Sequence, residues 1–112
     1  MNKIALIRSS ESSTNLLPEE LIVSNPDVVP ILFHEQKQMI LKLLVKQEMT
    51  IIDIKKQTNL NPGTIKRHID DLLEFGLISA TREEIGPNSI LMRFYRAKAQ
   101  SFLVKIRWPP LS

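Results

Sequence analysis

Two adjacent cations, Lys66 and Arg67, closely follow the polar side chains of Asn61 and Thr64. Arg and Lys can donate hydrogen bonds to guanine O6 and N7 or to a phosphate, while Asn and Thr supply short polar contacts. Asn61 directly precedes Pro62, an order preferred where a helix starts and where free backbone N–H groups attract anions. The pattern therefore indicates the exposed start of a helix that could bind a nucleic acid. The alternative is that the two cations are only a solvated face.

The helix that would carry these side chains is predicted to span residues 62–75 and to end at Gly76, a suitable C-terminal cap. Its inward face is formed by apolar residues at helical spacing, namely Ile65, Ile69, Leu72 and Leu73. On the outward side the cations come first, and Asp70 and Asp71 follow them. The amino end is therefore the half of the helix that would tolerate phosphates.

A shorter helix is predicted directly before it, over residues 51–58. Thr50 and Asp53 have the spacing of a capping arrangement at its start. Asn59 stands where the chain needs a residue that tolerates left-handed backbone geometry, as Gly and Asn do best. Two helices joined by so tight a turn predict a helix-turn-helix, in which the second helix is the recognition helix that enters a DNA groove.

Upstream of this pair, apolar residues at helical spacing predict a further helix over residues 34–46. Residues 24–27 predict a helix start, with Pro26 at the first helical position. Pro30 would interrupt any long helix there, so only a short turn or a kink is expected. Residues 1–23 are expected to be an N-terminal extension that is either flexible or dimer-forming.

Downstream, strands are predicted over residues 77–81 and 90–95, around a turn at residues 86–89. Together they would form a wing over about residues 79–96. Residues 99–108 fit one face of a helix and one face of a strand equally well, and both alternatives remain open. The predicted fold is mainly α with a small antiparallel β wing, which is a winged helix-turn-helix.

Length and composition favour one small soluble domain of 112 residues. All 12 acidic residues lie at or before Glu84, whereas residues 85–112 carry five basic residues and no acid. This basic end suits a polyanion or an acidic partner, or is a solvated tail; residues 99–112 could also contact a second subunit.

Cysteine is absent from the sequence, which excludes disulfides and thiolate metal sites and fits an intracellular setting. No apolar run reaches the roughly 18 residues that a membrane span needs. A cytoplasmic location is therefore expected.

The segment after the tight turn resembles winged-helix regulators of the ArsR type, particularly archaeal-type members. The residues that carry the likeness are in register with the family pattern: Pro62, Gly63, Thr64, Ile65, Arg67, His68, Ile69, Leu72, Gly76, Leu77 and Ile78. The resemblance covers about residues 24–98. Lys55 replaces a small residue and Asn59 replaces a glycine of that pattern, which leaves the tilt of the helix pair open.

The resemblance implies sequence-specific binding of double-stranded DNA and transcription regulation. Carried over by position, the DNA-reading residues would be Asn61, Thr64, Lys66 and Arg67. Thr50 could touch a phosphate, although a residue at such a position is more often only a cap. In the wing, Arg82 is favoured slightly, while Arg93 and Arg96 could serve DNA or merely the surface.

Other expectations concern partners and chemistry. A symmetric homodimer is expected, since one small module reads few bases.

Many relatives of this type sense metals, but two histidines, His34 and His68, without a thiol make a poor metal site, so no metal or cofactor is expected. His68 is expected to hydrogen-bond within the core. No catalytic motif is present, so an enzyme is not expected. The alternative function is a protein–protein adaptor that does not read DNA, suggested by acids such as Asp70 and Asp71.

Overall fold

The computed structural model describes residues 17–109. The elements it contains, in chain order, are β1 (Glu20–Val23), α1 (Val28–Leu32), α2 (Glu35–Lys46), α3 (Ile51–Thr58), α4 (Pro62–Glu74), β2 (Ile78–Ile85), β3 (Leu91–Ala97) and β4 (Ser101–Val104). A 3₁₀ turn, Pro87–Ser89, joins β2 to β3. The winged helix-turn-helix prediction is confirmed: helices pack on one another and an antiparallel hairpin follows the recognition helix.

The start of α3 is fixed by a capping box. The Asp53 backbone N–H donates to Thr50 Oγ1 at 3.1 Å, and the Thr50 N–H donates to Asp53 Oδ2 at 3.0 Å. The helix ends at Asn59, which has φ 62° and lies in the left-handed region. Each of these features confirms the prediction made from the sequence, because side-chain caps and left-handed residues are encoded locally.

The recognition helix α4 begins as predicted, with Asn61 as cap and Pro62 as its first residue. Its inward face, which includes Ile65, Ile69 and Leu72, is fully buried in the core. Gly76 ends the turn that follows α4 with φ 71°, and a Cβ at this position would meet no atom within 4 Å. Glycine is therefore required there by the backbone angle and not by space.

The wing hairpin is longer than predicted. β2 continues to Ile85 and β3 runs from Leu91 to Ala97, in antiparallel register with an irregularity between Ala80 and Arg82. The outer half of β2 has no alternation of buried and exposed residues to reveal it. Cross-strand pairing, such as Glu83 opposite Arg93, holds it instead.

The ambiguous segment after Ala99 forms a strand. β4 pairs in parallel with β1, so that Ile22 lies opposite Leu103. β1, the strand whose pairing makes this segment a strand, lies some eighty residues earlier in the chain, so local periodicity could not reveal it. This parallel pair is an addition to the predicted fold, and it joins the N-terminal and C-terminal segments beside the helices.

The helix start predicted at Pro26 is wrong by two residues. Pro26 and Asp27 form a turn, and α1 begins at Val28. Pro30 lies in the first turn of α1, where the missing N–H costs nothing because no helical acceptor precedes it. α1 is accordingly only five residues long, as expected for a short turn.

The core lies between α2, α3, α4 and the inner end of the wing. Its fully buried side chains include Ile40, Leu44, Ile54 and Leu77. This packing fixes α4 from one side only, which leaves its opposite face toward solvent. Among residues 17–109, no helix is long and apolar enough to span a membrane.

Candidate nucleic-acid interface

The amino end of α4 projects into solvent. Asn61, Gly63, Lys66 and Arg67 are exposed, and Thr64 is half-buried. The side chain of Asn61 is used in capping, because its Oδ1 accepts a hydrogen bond from the Gly63 N–H at 2.7 Å. A Cβ at Gly63 would lie 3.1 Å from that same oxygen, so the absence of a side chain keeps the cap uncrowded. The four residues predicted on α4 are thus brought together at one helix end.

The two cations at the amino end of α4, Lys66 and Arg67, differ in whether they have an acidic partner. Lys66 Nζ contacts both carboxylate oxygens of Asp70, at 2.8 and 2.9 Å, with both side chains about half exposed. Arg67 makes no ion pair or side-chain hydrogen bond with any residue in the range 17–109. Exposed pairs of this kind contribute less than about 1 kcal/mol, so a phosphate can compete for Lys66. Arg67 needs no such exchange.

Thr50 has a different environment from the α4 residues. It is only 3% exposed, and its Oγ1 accepts the capping hydrogen bond of α3. A phosphate contact through this side chain would compete with the cap. The geometry therefore favours the role of Thr50 as a helix cap, which is the more common role for a residue at such a position.

Arg82 is held within the wing by acids and an aromatic ring. Its Nε donates to Glu48 Oε1 at 2.8 Å, its Nη1 pairs with Glu84, and its Cζ lies 3.8 Å from the centroid of the Phe94 ring. Hydrogen bonds to Glu48 and Glu84 raise the pKa of Arg82 above its ordinary value. A hydrogen bond from Thr81, then that from Arg82, lowers the pKa of Glu48.

Arg93 is paired in the same way on the neighbouring strand. Its Nη2 lies 2.8 Å and its Nε 3.0 Å from Glu83 Oε2. The hydrogen bond to Glu83 raises the pKa of Arg93. Arg82 and Arg93 are therefore exposed but each is paired with an acid, which it would have to leave in order to contact DNA.

Arg96 serves the fold. Its Nε donates to the carbonyl oxygen of Leu44 and its Nη2 to that of Val45, each at 3.0 Å. These carbonyls belong to the last turn of α2, which has no helical donors left for them. Arg96 thus ties β3 to the end of α2. The sequence could not show this, because the two segments lie about fifty residues apart.

His68 lies on the core side of α4, as predicted. It is 7% exposed, and its Nε2 lies 2.8 Å from Gln36 Oε1 on α2. Its Nδ1 has no hydrogen-bond partner among the described residues. The His34 ring lies 4.9 Å away between centroids. Burial, and then the positive charge of Lys37, lowers the pKa of His68.

The described part of the chain contains no group of three or more His, Cys, Asp or Glu side chains arranged to hold a metal ion.

Comparison with known proteins identifies the class. Residues 34–80 match the family model described as "Bacterial regulatory protein, arsR family". No curated protein sequence matches the chain. Similar solved structures include the transcriptional regulator HlyU from Vibrio vulnificus CMCP6, with 18% identity, 65% of this chain and 70% of that chain covered, and a TM-score of 0.54.

Two further structures are similar. The transcriptional repressor BigR from Xylella fastidiosa shares 22% identity over 63% of this chain and 64% of its own, with a TM-score of 0.53. A possible transcriptional regulatory protein (fragment 1–100) from Mycobacterium bovis shares 27% identity over 65% of this chain and 72% of its own, with a TM-score of 0.54.

The fold and the family match together define a winged helix-turn-helix protein that binds DNA and regulates transcription. Residues 34–80 are similar to the ArsR family, which confirms the resemblance to regulators of the ArsR type seen in the sequence. Regulators of this class are not enzymes, so the expectation of no enzymatic activity follows from the class itself.

Proposed function

We propose that the chain reads double-stranded DNA by placing the amino end of α4 in the major groove. Asn61, Thr64, Lys66 and Arg67 would make the contacts, with Arg67 reading a base edge and Lys66 gripping a phosphate. The observation that carries the proposal is that the Arg67 guanidinium, exposed at the amino end of α4, has no partner among the described residues. A charge with no internal partner is available to a ligand.

The wing has a secondary place in this proposal. Arg82 and Arg93 would approach the DNA backbone or minor groove only by exchanging their carboxylate partners for phosphates. This exchange reduces what each contributes to the binding free energy. Thr50 would stabilise α3 through the capping box, in which Asp53 engages both its N–H and its Oγ1. Such a DNA-binding protein would work in the cytoplasm.

A homodimer is the working form in this proposal. On the outer face of the β1–β4 pair, Ile22 (54% exposed) lies opposite Leu103 (41%), and Ile106 (52%) and Trp108 (85%) follow β4. An apolar surface of this kind suits burial against an identical surface. Two copies related by a two-fold axis could then read half-sites about 34 Å apart.

The test is a selection of bound duplexes from a random pool, followed by a salt titration of the winning duplex. A DNA reader should lose affinity steeply as salt rises, with a slope reflecting several phosphate contacts. The double variant Lys66→Ala/Arg67→Ala should lose the preference for the selected duplex. A chain that enriches no duplex and binds none at low salt would contradict the proposal and favour the adaptor alternative.

The dimer is tested separately by sedimentation. The full chain should sediment as a dimer at tens of micromolar, and Leu103→Glu should convert it to a monomer by placing a charge at the outer face. A chain that is monomeric at that concentration would contradict the dimer without contradicting DNA reading by α4.

A further inference from the structure

Strand β3 has an open edge beside the start of α3. β2 pairs with β3 along one side, while on the other side Met49 makes a single bridge to Tyr95, with N–O distances of 3.0 and 2.9 Å. Immediately afterwards Thr50 caps α3, and the chain turns into the helix instead of continuing along β3. Among the described residues, therefore, no strand lies opposite Arg93 and Leu91 on that side.

Along β3, the backbone N–H and C=O groups of successive residues point alternately toward β2 and away from it, and the observed hydrogen bonds show which residues point which way. The Gly86 N–H donates to the Ile90 carbonyl at 2.7 Å, so Ile90 and alternate residues after it bond toward β2. In an antiparallel sheet the intervening residues bond to the other side, as Tyr95 does. The N–H and C=O groups of Leu91 and Arg93 therefore face away from β2.

Those groups face a groove of about 280 Å³ between β3 and the first turn of α3. We call it the wing groove; most of its lining is apolar, from Ile51, Ile52, Ile90, Leu91 and Met92. Three of these side chains are more than half exposed: Ile52 at 51%, Ile90 at 58% and Leu91 at 51%. Apolar side chains beside an unpaired strand edge are the two components of strand-addition sites.

We propose that the wing groove binds an extended segment of a partner protein, which adds as a strand to the open edge of β3. The segment would run antiparallel to β3, in line with Met49, and would exchange backbone hydrogen bonds with Leu91 and Arg93. Alternate apolar side chains of the segment would fill the groove against Ile52. This surface is distinct from the amino end of α4, and its occupation does not depend on DNA reading.

The charged residues near the wing groove indicate which residues should flank the apolar core of the bound segment. Lys55 and Lys56 are exposed one turn beyond Ile52 on α3, and the carboxylate of Glu83 is already engaged by Arg93. Acidic residues flanking the apolar core of the segment would therefore be attracted.

The probe is a displayed library of nine-residue peptides with apolar residues at alternate positions and acidic residues at both ends, panned on the full chain. Enriched peptides should slow amide hydrogen exchange at Leu91 and Arg93. N-methylation of the peptide backbone should abolish binding at alternate positions only, because only those N–H groups face β3. Ile52→Glu should weaken binding by at least about tenfold, since it places a carboxylate in the groove.

Phe33→Glu is the control for placing a carboxylate at an exposed apolar position. Phe33 is 75% exposed at the end of α1 and does not line the wing groove, so this variant should bind the enriched peptides normally. Failure to enrich any peptide, equal binding to Ile52→Glu, or indifference to N-methylation would each overturn the proposal. Protection of the Leu91 and Arg93 amides by duplex DNA but by no peptide would assign the groove to DNA and also overturn it.

Discussion

Lys66 and Asp70 lie one turn apart on α4, and the lysine Nζ contacts both carboxylate oxygens at 2.8 and 2.9 Å. The ion pair lies on the exposed side of the recognition helix, next to Arg67. Asp70 therefore restrains Lys66, one of the two cations proposed to meet DNA, and makes no ion pair with Arg67, the other. This relationship gives the two cations different expected roles, and the first two predictions separate them.

Asp70→Asn should strengthen binding to every duplex, because it frees Lys66 and removes a negative charge near the phosphates. The expected gain is roughly two- to threefold, with a salt slope steeper by about 1. Fluorescence anisotropy on selected and unrelated duplexes across a salt series measures both. Glu74→Gln, at the far end of the same helix, is the control for the charge change alone. An unchanged slope for Asp70→Asn would show that Lys66 is not held back from DNA.

Arg67→Ala should weaken binding to the selected duplex by about 1–3 kcal/mol and relax the choice of base at one position. The physical reason is the loss of a two-pronged contact to a base edge. Repeating the duplex selection with the variant detects the relaxed position. Lys42→Ala, an exposed cation on α2, should leave both affinity and preference unaltered. Equal losses on all duplexes would instead identify Arg67 as a phosphate contact.

Arg96→Ala should lower the free energy of unfolding by about 1–2 kcal/mol, because it leaves the carbonyl groups of Leu44 and Val45 without their charged donor. Urea denaturation followed by circular dichroism measures the change. Arg93→Ala is the comparison, since its pair with Glu83 is exposed and should contribute little. Identical midpoints for the wild type and Arg96→Ala would rule out the capping role.

Gly76→Ala should destabilise the fold by about 1–2 kcal/mol, because φ 71° places an alanine in the left-handed region. Gly76→Asn should cost less, since asparagine tolerates that region. A Cβ there meets no neighbouring atom, so the difference between the two variants isolates the backbone effect. Thermal denaturation of both would reveal it, and equal losses would point to a steric cause.

Stability should fall as the pH drops below the ordinary pKa of histidine, about 6.5. The pKa of His68 is lowered in the folded state, first by burial and then by Lys37, so the unfolded chain binds the proton more readily. Protonation therefore favours unfolding, and the loss levels off once the pH passes below the folded-state pKa. Denaturant titrations at pH 8, 6 and 5 check this. His68→Gln should flatten that dependence, and a variant with the wild-type profile would exclude His68 as its source.

The helix-turn-helix could be predicted from the sequence because its determinants are local. The Thr50–Asp53 box, the left-handed Asn59 and the Asn61–Pro62 start each encode a boundary within a few residues. The β1–β4 pair could not be predicted, because its register depends on a partner far away in the chain. The same limit applies to Arg96, whose acceptors lie on α2.

The candidate site was predictable only as a set of residue types. Sequence spacing brought together Asn61, Thr64, Lys66 and Arg67. It could not show that Lys66 is paired with Asp70, or that Arg67 has no side-chain partner among residues 17–109. Nor could it show that Arg82 is held by Glu48, a residue from outside the wing. Whether a charged side chain is free to bind DNA depends on its neighbours in the folded protein, whereas the place where a helix begins and ends depends on the local sequence.

The most direct test of the account is an NMR titration of the labelled full chain with the duplex selected from the random pool. Saturable shifts of the backbone amide signals of Gly63, Thr64, Lys66 and Arg67, with that of Lys42 unmoved, are the result we expect. Saturable binding that leaves those four signals in place and shifts others would contradict DNA reading by the amino end of α4.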